Sequence, residues 1–285
     1  MSHPSSFATR VIANPVTVSQ NPLSVWLAES LSRQRALTIF ALLMWASMLP
    51  TMLAWGLDDR LLRGVNVWIK PLKFMASIGL FALCTAWFIG LLPPERRVHR
   101  SIRIVVGMLI GAGLFEIGYI TLQAALGEGS HYNTSSAFHG IMYSLMGAGA
   151  MVLTATQPLL AWQIARHARP EVPTVWRDAV VLGLVLTFLL GAGSGGLLGS
   201  VQPPSGAGLP LLGWHLSGGD LRPAHFIGIH AQQWLPLAGL LLAPLASRHA
   251  RSGLLVVTVL VVGLWLWTMV NGLDGAVFIT PVIPR

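Results

Sequence analysis

The segment spanning residues 213–236, GWHLSGGDLRPAHFIGIHAQQWLP, concentrates side chains that can carry out chemistry. Its polar members include three histidines, an aspartate and an arginine: His215, His225, His230, Asp220 and Arg222. Imidazole nitrogens bind transition metals and haem iron, and an arginine beside a carboxylate offers fixed donors to an anion. Only 10% of the 285 residues are charged, so this concentration of polar groups predicts a functional site.

His139 and His230 are the histidines that best suit a cofactor. They fall on different predicted helices at similar depths below the same membrane surface, and haem b in membrane cytochromes is held by histidines on facing helices. His225 and His230 are separated by roughly 140° around a helix and ~7.5 Å along it, so they do not bind one metal from the same face. A copper or zinc site that includes His215 or His225 is the alternative.

A second group of polar residues predicts recognition of an anion. Lys70 and Lys73 lie in DDRLLRGVNVWIKPLKF (58–74), at the start of a predicted helix, where the helix dipole disfavours cations. We expect them to share a membrane face with Arg222 and to bind a carboxylate or phosphate between them, such as a haem propionate or a small anionic solute. Asp220 should hold Arg222 in a loop that folds over this site. The alternative is that the lysines extend to lipid headgroups.

Glu116 lies near the middle of an apolar run, where an ionisable side chain is costly and commonly functional. Tyr119 and Gln123 follow it at i+3 and i+7, so the three side chains share one face of a helix. We assign proton transfer to Glu116 and expect Tyr119 and Gln123 to form interhelical hydrogen bonds. The cavity beneath the basic residues is expected to reach Glu116, His139 and His230.

These residues support hypotheses from different functional classes. In the first, a haem b or a transition metal takes part in electron transfer with a quinone, and Glu116 moves the proton. In the second, the protein transports a small anionic solute together with protons, although the sequence shows no inverted repeat. A role as an accessory or assembly subunit of a membrane complex is the third.

Apolar runs make up most of the chain and must position these side chains. Hydrophobic residues account for 54% of the composition, and the mean hydropathy is +0.66. The runs long enough to cross a bilayer as helices are 36–56, 72–92, 104–126, 137–163, 179–199, 226–246 and 253–273. The sequence therefore predicts an all-α fold, a polytopic transmembrane helix bundle of about seven membrane-spanning helices. A polar, irregular N-terminal tail (1–35) precedes this single bundle (36–285).

Basic residues indicate how the bundle is oriented in the bilayer. Twelve of the eighteen lie in the N-terminal tail and in three loops on the same side: Arg10, Arg33, Arg35, Arg96, Arg97, Arg100, Arg103, Arg166, Arg169, Arg177, Arg248 and Arg251. The positive-inside rule places that side and the N-terminus in the cytoplasm, in a bacterial inner membrane. Since these arginines occupy short loops, the net charge of +8 does not indicate nucleic-acid binding. Cys84, the single cysteine, excludes a disulfide framework and a CxxC metal motif.

Two strings resemble those of an uncharacterised family of multi-pass proteins from bacterial inner membranes. They are VWIKPLKF (67–74) and GDLRPAHFIGIHAQQWLPL (219–237), and the similarity extends from about Trp68 to Leu242. The resemblance implies a membrane protein and carries no established activity. A weaker likeness, of GAGSGG (191–196) to the serine motif of rhomboid intramembrane proteases, raises Ser194 as a nucleophile.

Overall fold

The structure, a computed structural model, describes residues 21–206, 208–210 and 212–276. Arg10 and most of the predicted N-terminal tail lie outside the described residues. The elements in chain order are α1 (Pro22–Arg33), α2 (Arg35–Leu57), β1 (Leu61–Leu62), β2 (Val65–Asn66), α3 (Ile69–Ile89), α4 (Pro94–Arg97), α5 (Arg100–Leu126), α6 (Ala137–His167), α7 (Thr174–Leu198), α8 (Arg222–Ile229), α9 (Ala231–Leu242) and α10 (Ser247–Leu273). The all-α prediction is confirmed.

Among the described residues, six helices are long and apolar enough to cross a membrane, namely α2, α3, α5, α6, α7 and α10. The remaining predicted span, 226–246, is divided between α8 and α9, which meet at His230. The predicted number of seven is therefore approximate. It corresponds to six continuous helices and one interrupted pair.

The helix α1 departs from the expectation of an irregular tail through residue 35. Asn21 caps it by accepting a hydrogen bond from the Leu23 N–H at 3.1 Å, and Pro22 occupies the first helical position, where its missing N–H has no cost. The helix packs against α3, because Trp87 Nε1 donates to Ser30 Oγ at 3.0 Å. Local capping thus extends helical structure into a segment that hydropathy alone marks as polar.

The core of the bundle is formed by α2, α3, α5, α6 and α7. Its fully buried side chains come from all five helices and include Leu37, Ala86, Leu109, Leu160 and Leu184. The helix α10 packs against α8 and α9, and it leaves much of its apolar surface exposed. This arrangement suits a helix that faces lipid on one side.

Successive helices run in alternate directions, so the connections collect at two ends. We call one the polar end: residues 58–68, 127–136, 199–221 and 274–276. The other, the arginine end, comprises residues 90–99, 168–173 and 243–246. Contacts between connections hold each end together, since the Arg169 N–H donates to Leu91 O at 2.9 Å and the Gly219 N–H donates to Asp274 O at 2.7 Å.

A short antiparallel hairpin, formed by β1 and β2, stands at the polar end. Arg63 and Gly64 occupy its turn with φ of 54° and 81°. Two successive residues with positive φ match the right-handed twist of a tight hairpin. The hairpin thereby presents the Arg63 side chain to the loop formed by residues 199–221.

Candidate functional site: a basic cavity at the polar end

A cavity of about 650 Å³ opens at the polar end of the bundle. Its walls come from the hairpin, the first turns of α3, the loop 127–136, the loop 199–221 and the start of α8. Four basic side chains line it: Arg63, Lys70, Lys73 and Arg222. The structure therefore brings Lys70, Lys73 and Arg222 around one cavity, and the loop 199–221 folds over it as expected.

Lys70 and Lys73 are the only lysines in the sequence, and both line this cavity. They are one helical turn apart on α3, with Pro71 between them in the first turn of that helix. Lys73 Nζ donates to the carbonyl oxygen of Leu212 at 2.8 Å. Lys70 Nζ lies 3.0 Å from His131 Nδ1. Neither ammonium is in an ion pair with a carboxylate among the described residues.

His131 serves as a neutral partner for Lys70. Burial, followed by the positive charge of Lys70, lowers the pKa of His131 to about 3. The imidazole is then uncharged near neutral pH, and its Nδ1 accepts a hydrogen bond from the ammonium. The rings of Phe74 and Tyr143 flank it with centroids 6.2 and 5.9 Å away. Lys70 thus donates a hydrogen bond to an uncharged partner.

Asp220 and Arg222 form the strongest polar contact of the loop. The Asp220 carboxylate is fully buried and accepts from Arg222 Nε at 2.8 Å and Nη2 at 2.6 Å. It also accepts from the backbone N–H groups of His215 and Arg222. Burial raises the pKa of Asp220, but these hydrogen bonds outweigh burial and hold the pKa below its ordinary value. Asp220 therefore fixes Arg222 as expected, and it also shapes the loop.

Arg63 joins the hairpin to the loop 199–221, a role that sequence reasoning missed. Its Nη2 donates to Pro203 O at 2.6 Å and to Ser205 Oγ at 3.1 Å. Its own carbonyl oxygen accepts from the Gly206 N–H at 3.0 Å. The signal in the sequence is the Arg63-Gly64 pair between Leu61-Leu62 and Val65-Asn66, since a two-residue turn with glycine is typical of a tight hairpin.

Glu128 is the one carboxylate among the described residues that line the cavity. Its Oε2 lies 2.9 Å from His139 Nε2. The other ring nitrogen of His139, Nδ1, contacts Ser136 Oγ at 2.8 Å in the first turn of α6. Both nitrogens of His139 are therefore engaged at the surface of the polar end, and neither faces the bundle interior.

The other candidate ligand histidines are separated from one another by their contacts. His225 Nδ1 contacts Gly191 O at 3.0 Å, and His230 Nδ1 contacts Gln233 Oε1 at 3.1 Å. His215 lies beside a smaller pocket of about 90 Å³ near Trp267. Within residues 21–206, 208–210 and 212–276, no group of three or more His, Cys, Asp or Glu side chains is arranged to hold a metal ion.

The expected extent of the cavity is wrong in one respect. Glu116, His139 and His230 do not line it. His139 faces Glu128, and His230 packs on the Phe226 ring with centroids 4.1 Å apart. The described residues therefore do not fit a haem or a metal held jointly by His139 and His230.

Ser194 does not match a protease nucleophile. Its side chain is fully buried, and its hydroxyl donates to the carbonyl oxygen of Leu190 within α7. The nearby imidazole, that of His225, contacts Gly191 O and forms no hydrogen bond with Ser194. A serine held in this way stabilises its own helix.

Two tyrosines fix the C-terminal end of α7 beside the cavity. Tyr132 donates to Leu198 O and Tyr143 donates to Gly199 O, each at 2.5 Å. The last carbonyls of a helix have no partner within it, so these hydroxyls satisfy two of them. Tyr132 also lines the cavity. The loop 127–136 is thereby anchored against α7.

Comparison of the chain with protein-family profiles, with curated proteins and with solved structures finds no match. The fold and the cavity therefore carry the functional argument by themselves.

Proposed function

We propose that this integral membrane protein binds a small anionic solute in the basic cavity at its polar end and carries it into the membrane. The observation that supports the proposal is that Lys70, Lys73 and Arg222, from two separate parts of the chain, line one cavity. Of the four cations around this cavity, only Arg222 is in an ion pair with a carboxylate of the described residues. The remaining positive charge lies in a setting of reduced polarity, where an anion stabilises it more than in water.

The two lysines are the groups that contact the anion. An ammonium has three N–H donors, and Lys70 and Lys73 each use one of them in the contacts described above. Arg222 instead uses its Nε and Nη2 donors for Asp220 and Gly213 O. Arg222 therefore holds the loop in place, and the lysines supply the free donors.

The cavity walls indicate the class of solute. Phe74, Ile120 and Trp214 present apolar surface beside the lysines. The volume of about 650 Å³ is within the range of roughly 300–1,000 Å³ that is usual for small-molecule sites. A carboxylate or phosphate attached to an apolar or aromatic body matches both the charge and the walls.

The proposed location is a bacterial inner membrane with the N-terminus in the cytoplasm. The positive-inside rule supports this orientation, because most loop arginines belong to the arginine end. The cavity then opens on the outer face, where it meets solutes from outside the cell. The exposed apolar surfaces of α6 and α10 then contact the lipid of the surrounding bilayer.

The electron-transfer hypothesis is less well supported by the geometry. His139 has both ring nitrogens in hydrogen bonds, and His230 has one, to Gln233. The hypothesis is tested by the absorption spectrum and metal content of the purified protein. A Soret band that shifts on reduction and disappears in both His139→Ala and His230→Ala would restore it.

Isothermal titration of the purified full-length protein tests the proposed function. The probes are benzoate, inorganic phosphate and, as a neutral analogue, benzamide. We expect saturable binding of at least one anion and none of benzamide. Lys70→Gln and Lys73→Gln should each weaken binding by about tenfold or more, since a hydrogen bond to a charged group contributes about 1.5–3 kcal/mol.

Arg166→Gln is the matched control. Arg166 stacks on Trp162 near the arginine end, with its guanidinium carbon 4.0 Å from the ring centroid, and removing its charge should leave anion binding unchanged. The proposal is overturned if neither anion binds saturably. It is equally overturned if the Lys70→Gln/Lys73→Gln double variant binds as tightly as the native protein.

A further inference from the structure

A row of buried polar side chains on α5 lies beside the cavity, and one oxygen atom of each has no hydrogen-bond partner. It consists of Glu116, Tyr119 and Gln123, which are 2%, 6% and 2% exposed. Glu116 Oε1, the Tyr119 hydroxyl and Gln123 Oε1 all lack a partner in the structure. The expectation that Tyr119 and Gln123 form interhelical hydrogen bonds is therefore wrong.

The row packs against apolar side chains and lies next to residues of α5 that line the cavity. Tyr119 packs against Met146 and Phe74. Ile120 and Ala124, each one residue beyond a member of the row, line the cavity. The row thus runs from the level of the cavity towards Glu116, about 15 Å below the Leu126 end of α5 at 1.5 Å per residue.

An unpartnered polar group in hydrocarbon costs several kcal/mol. Three such groups lie on one face of the helix, so a single file of water molecules that enters from the cavity can supply all their missing hydrogen-bond partners. Water of this kind typically forms two to four hydrogen bonds to otherwise unsatisfied groups. Each member of the row can then donate to or accept from water.

Glu116 lies at the inner end of the row, and its carboxylate has room there because of a glycine on α6. A methyl group at Gly149 would come within 2.7 Å of Glu116 Oε1. Lys70 lies close to this row, since its Nζ is 5.8 Å from the centroid of the Phe74 ring, and Phe74 packs against Tyr119. Neither Gly149, which has no side chain, nor His131, the neutral partner of Lys70, adds a charge near Glu116.

We propose that Glu116 is a proton-binding site reached by water along Gln123 and Tyr119, and that anion binding at Lys70 drives its protonation. The carboxylate takes a proton from the water file, and the cavity replaces that proton from solution. The positive charge of Lys70 favours the ionised form of Glu116, so an anion that neutralises Lys70 favours proton uptake. Solute and proton then enter the site together. The coupling rests on the proposed function, whereas the water path does not.

Infrared spectroscopy of the full-length protein tests the path without any ligand. At acidic pH, where Glu116 is protonated without a ligand, its carboxyl gives a C=O stretching band, which Glu116→Gln should remove and which should shift within minutes in D₂O. Tyr119→Phe and Gln123→Leu should slow that exchange by about tenfold, the equivalent of one hydrogen bond of about 1.4 kcal/mol. Ser144→Ala, which removes a hydroxyl that donates to Gly140 O on α6, is the control and should exchange at the native rate.

Benzoate tests the coupling, with benzamide as its neutral control. Benzoate should increase the Glu116 band in the native protein and leave it unchanged in Lys70→Gln. The path is overturned if exchange is slow in the native protein or equally fast in Tyr119→Phe and Gln123→Leu. The coupling is overturned if benzoate binds calorimetrically and the band stays constant. If benzoate and phosphate do not bind, the proposed function fails, and D₂O exchange still decides the path.

Discussion

Lys73 and Arg222 donate to the carbonyl oxygens of adjacent residues. Lys73 Nζ contacts Leu212 O at 2.8 Å, and Arg222 Nη2 contacts Gly213 O at 2.6 Å. The two side chains come from α3 and α8 and meet on a single turn of the loop 199–221. This turn links the two helix starts that carry the basic residues, so the shape of the cavity depends on the loop conformation.

Asp220→Asn should destabilise the protein by about 2 kcal/mol. A fully buried ion pair that loses one partner costs about 3–5 kcal/mol, and the Arg222 side chain is one-third exposed (33%), which reduces the effect. The measurement is thermal unfolding at neutral pH. Asp178→Asn is the control, because its pair with Arg177 is exposed on both sides. Equal stability of the two variants would contradict the structural role of Asp220.

The stabilisation by Asp220 should also depend on pH. Its pKa is below the ordinary value in the folded protein, and in an unfolded chain an aspartate has a pKa near 3.9. The contribution is therefore complete above about pH 4 and is lost as the pH falls through the folded value. The difference in stability between the native protein and Asp220→Asn should be constant from pH 5 to pH 7 and should decrease below about pH 4. A difference that grows on acidification would refute the assignment.

Arg63→Ala should loosen the loop 199–221 without unfolding the bundle. The substitution removes the donors to Pro203 O and Ser205 Oγ, which join the hairpin to that loop. Limited chymotrypsin digestion should cleave near Trp214 several times faster in the variant. Arg60→Ala, which removes a pair with Asp58 in the same hairpin, is the control. A loop that is equally resistant in native protein and Arg63→Ala would show that the contact does not hold it.

His131 should stay neutral throughout the physiological pH range. Its pKa is lowered to about 3 by burial and by the charge of Lys70. In histidine-labelled protein, NMR should show one imidazole signal that does not titrate between pH 5 and pH 8 and that His131→Gln removes. Titration of that signal near pH 6.5 would mean that His131 does not accept from the ammonium.

Reporter fusions should place the two ends of the bundle on opposite sides of the membrane. Fusions after Pro170 and Ala246, at the arginine end, should report cytoplasm because of the surrounding arginines. Fusions after Gly129 and Gly218, at the polar end, should report the outer side. Any pair from one end that reports opposite sides would overturn the proposed topology.

The spans were predictable from the sequence because long apolar runs have few alternatives to membrane helices. The polar end was partly predictable for the same reason, since alternating spans place Lys70 and Arg222 on one side. The partners Arg63 and His131 were not recognised, because their contacts join residues 140 and 61 positions apart. Pairings at that distance depend on loop conformation, which hydropathy does not encode.

The contacts of His139 were not predictable for a different reason. Its place in an apolar run indicates its depth, but depth does not fix the direction of a side chain around the helix. In the structure Ser136 caps α6 by accepting a hydrogen bond from the His139 N–H at 3.3 Å, and the ring turns to Glu128. The cap fixes the residue at which α6 begins, and the His139 side chain in its first turn then points away from the bundle interior.

The most direct measurement of the central claim uses the two lysines of the chain. Incorporation of lysine labelled with ¹³C at Cε gives one NMR signal each for Lys70 and Lys73, assigned by Lys70→Gln and Lys73→Gln, and leaves all three N–H donors of each ammonium in place. Titration with benzoate or phosphate should shift both lysine signals saturably, with one dissociation constant, whereas the neutral benzamide should leave both signals unchanged. If both lysine signals stay fixed while both anions are titrated to saturating concentrations, the cavity is not an anion site.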